Sequence, residues 1–428
     1  MKRLKALILL SLAAGLLVSS GCSQSALRQG ERALDAQNYQ LAREHLQLAL
    51  QNQPNDARIL RALGRVHYHQ GDLAQAEKYL AAAEQSLPND GTIALYRGMI
   101  SESRGDFAAA EKNYRRFLDQ NKKSKAAPAI RGRLLYVQNE ALRLQVAEAV
   151  KQEAAIGEQT PAPNSIGVLP FSVHKGVDET TRSLAVGLQA VTWYDLSAIP
   201  ELQVVERAEF NYLQRELQLS EQGLADPKSA PRVGKLVRAA KLVNASVDKP
   251  SEKTFTLNSA LVNTGDAAYT PTYGKDDELK KVMRLQKEMV LAVLDTLGIE
   301  LKGSRRQALK KPATDNYDAF FAFCQGIELQ DQGDYIKAKA MFDRAVELDP
   351  HFSLAAQLST DAGLIGANSG PLTNFQTNAL AGLTPEIGGV YDPTFDIGNI
   401  VAPTPDPRHQ DTPQQINNGS ANVSGTIR

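Results

Sequence analysis

The pattern of apolar and polar positions divides the chain into parts with different periods. Apolar residues recur at helical spacing between about residues 25 and 120, and a further helix is predicted from Ile130 to Glu153. Short apolar runs alternate with amphipathic segments over residues 165–301, and helical spacing returns over 315–360. From Asp361 onward the apolar residues are isolated and have no period. The pattern therefore predicts helices on both sides of a strand-containing middle, followed by a low-complexity, largely disordered tail over residues 361–428.

Several kinds of position repeat every 34 residues in the first helical part. The repeated residues are Gly30, Gly64 and Gly98, then Ala42, Ala76 and Ala110, then Leu46, Leu80 and Tyr114, and the prolines Pro54 and Pro88. Small residues let paired helices approach closely, bulky residues fill the groove between them, and proline ends the second helix. This arrangement resembles the tetratricopeptide (TPR) repeat. The resemblance implies a helical solenoid over residues 22–155, closed by the helix predicted from Ile130.

The TPR resemblance also implies an interaction surface. Arrays of this family usually present a concave face to a peptide or a protein partner, and the alternative is a spacer or self-association arm. One more unit follows the same offsets, with Gly326, Ala338, Phe342, Ala345 and Pro350. A single unit cannot bury its own face. We therefore expect this TPR-like helical pair to pack on the central domain, on the first array or on another subunit, which leaves a homo-oligomer open.

The middle part, residues 165–301, follows a polar, proline-rich linker at residues 156–164. Its predicted elements are a strand at Ile166–Val173, a helix at Leu184–Ile199, a strand at Leu202–Arg207, a helix at Ala208–Leu219, a hairpin at Thr254–Tyr273 and a closing helix at Leu279–Leu297. Strands that alternate with amphipathic helices favour an α/β domain. We expect a small sheet with helices packed on it in two or three layers.

Three segments of this domain carry a second resemblance. They are Gly167-Val-Leu-Pro-Phe171, then Leu202-Gln-Val-Val-Glu-Arg207, then Gly223-Leu-Ala-Asp-Pro-Lys228 with the segment from Val233 to Val247. Their order and spacing resemble the curli-secretion (CsgG-type) lipoprotein family, which implies a CsgG-like α/β domain. A channel of that family needs membrane hairpins with strands of roughly 9–11 residues. The hairpin predicted after Val247 has the polarity of a soluble sheet, so the resemblance is to the periplasmic part of the family.

The amino terminus has the features of an export signal. Lys2, Arg3 and Lys5 precede an apolar run from Ala6 to Val18, which is too short to span a bilayer. The run ends at Ser19-Ser20-Gly21-Cys22, which resembles a bacterial lipoprotein signal. The resemblance implies cleavage before Cys22 and lipidation of its thiol, and more than one acyl chain makes such an anchor stable. Ser23 in place of aspartate implies the outer membrane. The alternative is an ordinary secretory signal with an incidental cysteine.

Charge and composition argue against several classes of function. Lys+Arg and Asp+Glu are 48 each, and there is one tryptophan, so nothing favours nucleic acid as a partner. The basic residues Lys122, Lys123, Lys125, Arg131 and Arg133 are interpreted as a solvated helix end. The six histidines are scattered, and neither a phosphate loop nor a nucleophile elbow is present. No catalytic, cofactor-binding or metal-binding residue is therefore predicted, and Cys324 is expected to be a packed core residue.

These observations predict a lipid-anchored protein on the periplasmic face of the bacterial outer membrane. Its predicted parts are a signal peptide (1–21), a TPR array (22–155), a linker (156–164), a CsgG-like α/β domain (165–301), a TPR-like unit (315–360) and the tail (361–428). The predicted function is a non-enzymatic scaffold or adaptor in envelope assembly or export, which binds protein partners through the TPR groove. One alternative is a regulator of peptidoglycan synthesis that binds a penicillin-binding protein, because lipoprotein activators of those synthases share the anchor and a related fold. A subunit of a secretion channel is a second alternative, which the missing hairpins disfavour.

Overall fold

The computed structural model describes residues 24–153, 160–173, 178–219, 227–249, 251, 253–381 and 383. These residues form two compact units, one that ends at Gln120 and one that extends from Asn121 to Leu383. The predicted signal peptide, the predicted lipidation site Cys22 and the tail beyond residue 383 lie outside the described residues. None of the described helices has the length and hydropathy of a membrane-spanning segment.

The first unit consists of three helix pairs. Its helices are α1 (residues 24–35), α2 (Tyr39–Asn52), α3 (Ala57–His69), α4 (Leu73–Ser86), α5 (Gly91–Ser103) and α6 (Phe107–Gln120). The side chains of Asp56, Asp72 and Asp90 each accept a hydrogen bond from a backbone N–H in the first turn of the helix that follows. Short polar residues before each apolar stretch therefore fix where the helices begin.

Each glycine of the 34-residue repeat lies against the bulky residue sixteen positions later. A Cβ atom on Gly64 would be 2.6 Å from Cγ of Leu80, and one on Gly98 would be 2.5 Å from a ring carbon of Tyr114. No larger residue fits there, because the two helices of a pair are in contact at the glycine. The predicted TPR packing of the first unit is confirmed at these positions.

The second unit contains ten described helices and one sheet. The helices are α7 (Ala127–Lys151), α8 (Glu179–Ser197), α9 (Arg207–Leu217), α10 (Ala230–Val237), α11 (Val282–Thr296), α12 (Gly303–Lys310), α13 (Tyr317–Asp331), α14 (Tyr335–Leu348), α15 (Ser353–Asn368) and α16 (Leu372–Ala381). The strands are β1 (Ser165–Val168), β2 (Ser172–Val173), β3 (Gln203–Val204), β4 (Lys241–Asp248), β5 (Thr254–Asn263) and β6 (Tyr269–Glu278). The chain is thus mostly helical, with a small mixed sheet in the middle, as predicted.

The sheet has the order β3-β1-β4-β5-β6, and β2 also pairs with β4. Strand β1 is parallel to both β3 and β4, whereas β4, β5 and β6 form an antiparallel meander. The predicted opening strand is divided at Pro170, which has no N–H to donate to a neighbouring strand. The second strand of the hairpin continues to Glu278, five residues beyond the predicted end at Tyr273.

Helices cover the sheet on both faces around β1 and β4. Ile166 and Val168 face one core, which α8 and α11 complete, while Leu169 and Leu242 face a second core formed with α9, α10 and the end of α7. Successive residues of a strand point to opposite faces, so this short run of apolar residues serves both cores. The sequence predicted two or three layers, and the structure has three layers here.

The core on the α8 face continues without interruption into the carboxy-terminal helices. A Cβ atom on Gly187 of α8 would be 2.1 Å from Sγ of Cys324 in α13, and one on Gly326 would be 2.5 Å from a ring carbon of Phe342 in α14. Cys324 is fully buried, as predicted, and burial raises the pKa of its thiol. The TPR-like pair α13–α14 therefore packs on the central domain, and the two share one hydrophobic core although they were predicted as separate domains.

The prediction of a disordered tail from residue 361 is wrong for its first part. Helix α15 continues to Asn368, and α16 follows from Leu372 to Ala381. Ala362, Ile365 and Phe375 are buried in these helices. Many residues of these two helices are small, such as glycine and alanine, so few large apolar side chains mark a helical period in the sequence. The same small residues allow the helices to pack closely.

Helix α7 was predicted to close the first array, but it belongs to the second unit. It packs on α15 and α16 and also on α9 and α10. A Cβ atom on Gly132 would be 2.1 Å from the carbonyl oxygen of Leu364. Arg133, interpreted from the sequence as part of a solvated helix end, is 3% exposed. Its Nη1 donates to the carbonyl oxygens of Asn368 and Gly370, both at 2.6 Å, so it binds the carboxy-terminal end of α15.

Candidate partner-binding surface

A polar stripe follows α3, the first helix of the second repeat. Arg61, Arg65 and His69 are four residues apart and therefore share one face of the helix. They are partly exposed, whereas most of the intervening residues of α3 are buried. In stacked helix-pair arrays the curvature creates an extended concave surface that binds partners. We call these three residues the α3 stripe.

The stripe contacts the preceding helix pair at three successive levels. Arg61 lies 3.6 Å from Glu31 and Arg65 lies 3.6 Å from Asp35. One turn further on, the ring of His69 stacks on that of Tyr39, with centroids 4.9 Å apart and planes 6° from parallel. Each of these three pairs joins residues 30 positions apart in the sequence. Adjacent repeats are thus aligned by a ladder of two ion pairs and one aromatic stack.

The stripe also contacts α5, on its other side. Nη1 of Arg61 donates to Oδ2 of Asp90 at 2.6 Å, and Nε2 of His69 lies 2.9 Å from the hydroxyl of Tyr96. The guanidinium carbon of Arg65 lies 6.0 Å from the centre of the Tyr96 ring. These contacts hold the arginine side chains in place, yet 24% of the Arg61 side chain and 23% of the Arg65 side chain remain exposed. The surface therefore presents two held guanidinium groups, each paired with at least one carboxylate, that need little further ordering on binding.

The electrostatics of the stripe favour a neutral histidine. Burial lowers the pKa of His69 to about 4, and the positive charge of Arg65 acts in the same direction. At neutral pH the ring is therefore uncharged, and it supplies aromatic surface near the guanidinium group of Arg65. The stripe combines cationic and aromatic groups, which are the residue types enriched at protein interfaces.

The sequence predicted an interaction face for this array but none of its residues. His67 and His69 face different directions, because the ring of His67 stacks on that of Tyr79, with centroids 5.3 Å apart, while the ring of His69 stacks on that of Tyr39. Opposite charges 30 positions apart, in consecutive first helices, were a signal that could have identified the stripe. Within the described part of the chain, no group of three or more side chains is placed to hold a metal ion. Cys22, the one predicted modification site, lies outside that part.

Two stretches of the chain match models of the tetratricopeptide repeat, at residues 27–91 and 325–352. The chain contains TPR repeats. The first stretch spans the α3 stripe, and the second spans the last seven residues of α13 and all of α14. TPR repeats indicate protein–protein interaction, and they lie on both sides of the mixed sheet in the sequence. No curated protein sequence matches the chain.

Several solved structures are similar to the chain, all at low sequence identity and low TM-score. A tetratricopeptide repeat protein from Parabacteroides merdae is 14% identical, and the alignment spans 80% of this chain and 99% of that one, with a TM-score of 0.25. Yeast Tom70 is 15% identical over 85% of this chain and 69% of its own, with a TM-score of 0.27. The carboxy-terminal domain of LpoB from Salmonella enterica is 11% identical over 32% of this chain and 94% of its own, with a TM-score of 0.21. At such TM-scores these similarities say nothing about the site.

Proposed function

We propose that this protein is a non-enzymatic scaffold that holds a protein partner on the face of its first TPR array. The observation that carries the proposal is the α3 stripe, where two held but partly exposed arginines share one helix face with the ring of His69. Guanidinium groups bind carboxylates and backbone carbonyls in a fixed geometry. The proposed partner therefore offers acceptor groups to Arg61 and Arg65 and apolar surface to the rings.

The proposal places the scaffold at the bacterial outer membrane, facing the periplasm. The amino-terminal sequence supports this location, because a basic segment, an apolar run and a cysteine in a small-residue context precede the first helix. The order of segments in the central domain supports a CsgG-like role in envelope assembly or export. A regulator of peptidoglycan synthesis and a secretion subunit differ from this role in the partner that they bind, so partner identity decides among the three.

The proposed anchor predicts a change of cell fraction. The Cys22→Ala variant is expected to move from the membrane fraction to the soluble periplasmic fraction, because no acyl chains can be attached without the thiol. The matched control is Cys324→Ala. It removes the chain's other cysteine, which is buried in the second unit, and this variant is expected to stay in the membrane fraction. Fractionation followed by immunoblotting measures both variants. Membrane retention of Cys22→Ala equal to that of the parent chain, in protein from which residues 1–21 have been removed, would overturn the anchor.

If the α3 stripe binds the partner, removal of its arginines should reduce the amount of partner captured with the protein. The double variant Arg61→Ala, Arg65→Ala is expected to recover the dominant partner at least about tenfold less well from gently solubilised envelopes, because two charge-assisted contacts are removed. The control is Arg43→Ala, Arg115→Ala, which removes the same charge from the second helices α2 and α6. Quantitative mass spectrometry of the captured proteins gives the ratio.

The outcome of the capture experiment also separates the candidate roles. Equal recovery of the partner by both double variants, with unchanged helical circular dichroism, would contradict partner binding at the α3 stripe. A penicillin-binding protein as the dominant partner would favour the regulator of cell-wall synthesis, and components of a secretion apparatus would favour export. A large closed ring of this chain in the purified material would favour the channel subunit.

A further inference from the structure

A cleft opens in the second unit where the parallel part of the sheet ends. Strand β1 lies between β3 and β4, so the chain leaves β1 toward one side, through α8 to β3, and then crosses to β4 on the other side. In open parallel sheets such a reversal leaves a crevice at the carboxyl ends of the strands. Pro170 and Phe171, which follow β1, line a cleft of about 460 Å³ at this place. We call it the strand-end cleft.

Three helices form the walls of the strand-end cleft, each with one face. Helix α8 contributes Arg182, Ala185, Val186 and Gln189, α9 and the residues after it contribute Asn211, Gln214, Arg215, Gln218 and Leu219, and α13 and the residue after it contribute Glu328, Asp331 and Gln332. The spacing within α8 and within α9 is that of a single helix face. The cleft is therefore built from rigid elements, and its volume lies in the range of small-ligand sites.

Part of the polar lining already has partners within the fold. Gln189, 3% exposed, donates to the carbonyl oxygen of Val168 at 3.1 Å. Both carboxylate oxygens of Asp331 accept from Arg207. One oxygen of Glu328 accepts from the hydroxyl of Ser183 at 2.7 Å. These contacts hold the floor and the α13 wall in position.

Other lining groups are left to bind a ligand. Among the described residues, the side chains of Arg182, Gln214, Gln218 and Gln332 have no hydrogen-bond partner. Arg215 uses one Nη2 hydrogen bond on the backbone oxygen of Asp331 and keeps further donors. Because Arg207 neutralises Asp331, the remaining charged lining groups are two arginines and Glu328. The lining therefore has an excess of one positive charge.

The chemistry of the lining indicates a peptide rather than a sugar. Carboxamides both donate and accept, so they match the alternating donors and acceptors of a peptide backbone. The aromatic residue of the lining, Phe171, is 2% exposed and offers no ring face on which a sugar could stack. We propose that the strand-end cleft binds a short peptide with a carboxylate, which Arg182 and Arg215 recognise while the carboxamides bind its amides. This site is separate from the α3 stripe and does not depend on the proposed scaffold role.

The carboxylate could be a free carboxy terminus or an acidic side chain, and three peptides separate the two. We would titrate the whole protein by isothermal calorimetry with trialanine, with trialanine amide and with N-acetyl-Ala-Glu-Ala-amide. Binding of trialanine alone assigns the carboxy terminus, and binding of the glutamyl peptide alone assigns the side chain. Trialanine amide has no carboxylate and so lacks the charge-assisted contact. Its affinity is expected to be at least about tenfold lower than that of whichever other peptide binds more tightly.

Matched variants locate the binding. Arg182→Gln is expected to weaken binding by about tenfold or more, since it removes the charge from an exposed side chain on the cleft wall. Arg232→Gln removes the same charge from an exposed side chain that pairs with Glu153 and does not line the cleft, and it should bind as the parent chain does. The absence of heat with all three peptides at about 10 mM would overturn the proposal. Equal binding by the two variants, or equal binding of trialanine amide, would do the same.

Discussion

Replacement of Arg207 by alanine is expected to lower the free energy of unfolding of the second unit by about 3–5 kcal/mol. Arg207 is 8% exposed and is the first residue of α9. Its Nη1 donates to Oδ2 of Asp331 at 2.7 Å and to Gln189 at 3.3 Å, so it joins α9 to both α13 and α8. Burial disfavours its charge, but Asp331 outweighs this effect and the pKa of Arg207 is raised. The alanine variant would leave the Asp331 carboxylate partly buried without its cation.

Unfolding of the protein in guanidinium chloride, followed by tryptophan fluorescence, measures this loss of stability. Trp193 is the only tryptophan, and its indole N–H donates to the carbonyl oxygen of Val205, so its emission reports on the second unit. The control is Arg305→Ala, which breaks a pair with Glu201 between side chains that are 50% and 48% exposed. That variant should lose less than about 1 kcal/mol. Similar losses in the two variants would contradict the role given to Arg207.

Replacement of Gly132 by alanine is expected to cost about 2–3 kcal/mol, even though alanine is the better helix former. The added Cβ would be 2.1 Å from the carbonyl oxygen and 2.7 Å from the carbonyl carbon of Leu364. Backbone atoms inside a helix cannot move aside as a flexible side chain does. Helices α7 and α15 would therefore have to separate, and the contacts of Arg133 with the end of α15 would lengthen.

The same helix pair supplies the control for Gly132. A Cβ atom on Gly366 of α15 would meet its nearest neighbour, a side-chain carbon of Ile336, at 3.4 Å. Gly366→Ala should therefore keep the parent stability or gain up to about 1 kcal/mol from the lower entropy of its unfolded chain. Denaturant midpoints of the two variants, measured side by side, give the difference. A Gly132→Ala variant as stable as Gly366→Ala would show that α7 and α15 do not pack closely.

The repeats could be predicted because their packing is local. Gly64 contacts Leu80 and Gly326 contacts Phe342 within one helix pair, so each contact leaves a sixteen-residue offset in the sequence. The strands and helices of the middle part were also recognisable from their periods, although Pro170 divides the first strand. These features depend on residues close together in the chain.

The remaining features depend on distant residues. Arg207 and Asp331 are 124 positions apart, and nothing in either helical pattern indicates that they meet. The α3 stripe depends on the alignment of neighbouring repeats, which places Arg61 and Arg65 beside Glu31 and Asp35. The strand-end cleft needs three helices whose relative positions no periodicity gives. The extension of helix beyond Asp361 was missed because its packing uses small residues, such as Ala362, that carry little hydrophobic signal.

The position of α7 has a consequence for how this protein is made. Arg133, near the start of the second unit, binds the carbonyl oxygen of Asn368, which is 235 residues later. Because the chain is synthesised from its amino terminus, α7 is complete long before α15 exists. Until α15 has been made, the face of α7 that packs on it stays uncovered. Loops of this length also slow the search for native contacts. The second unit therefore completes its fold only after nearly all of it has been released. A fragment that stops at residue 301 would keep α9 and α10 but lack α15 and α16, so part of α7 would remain uncovered.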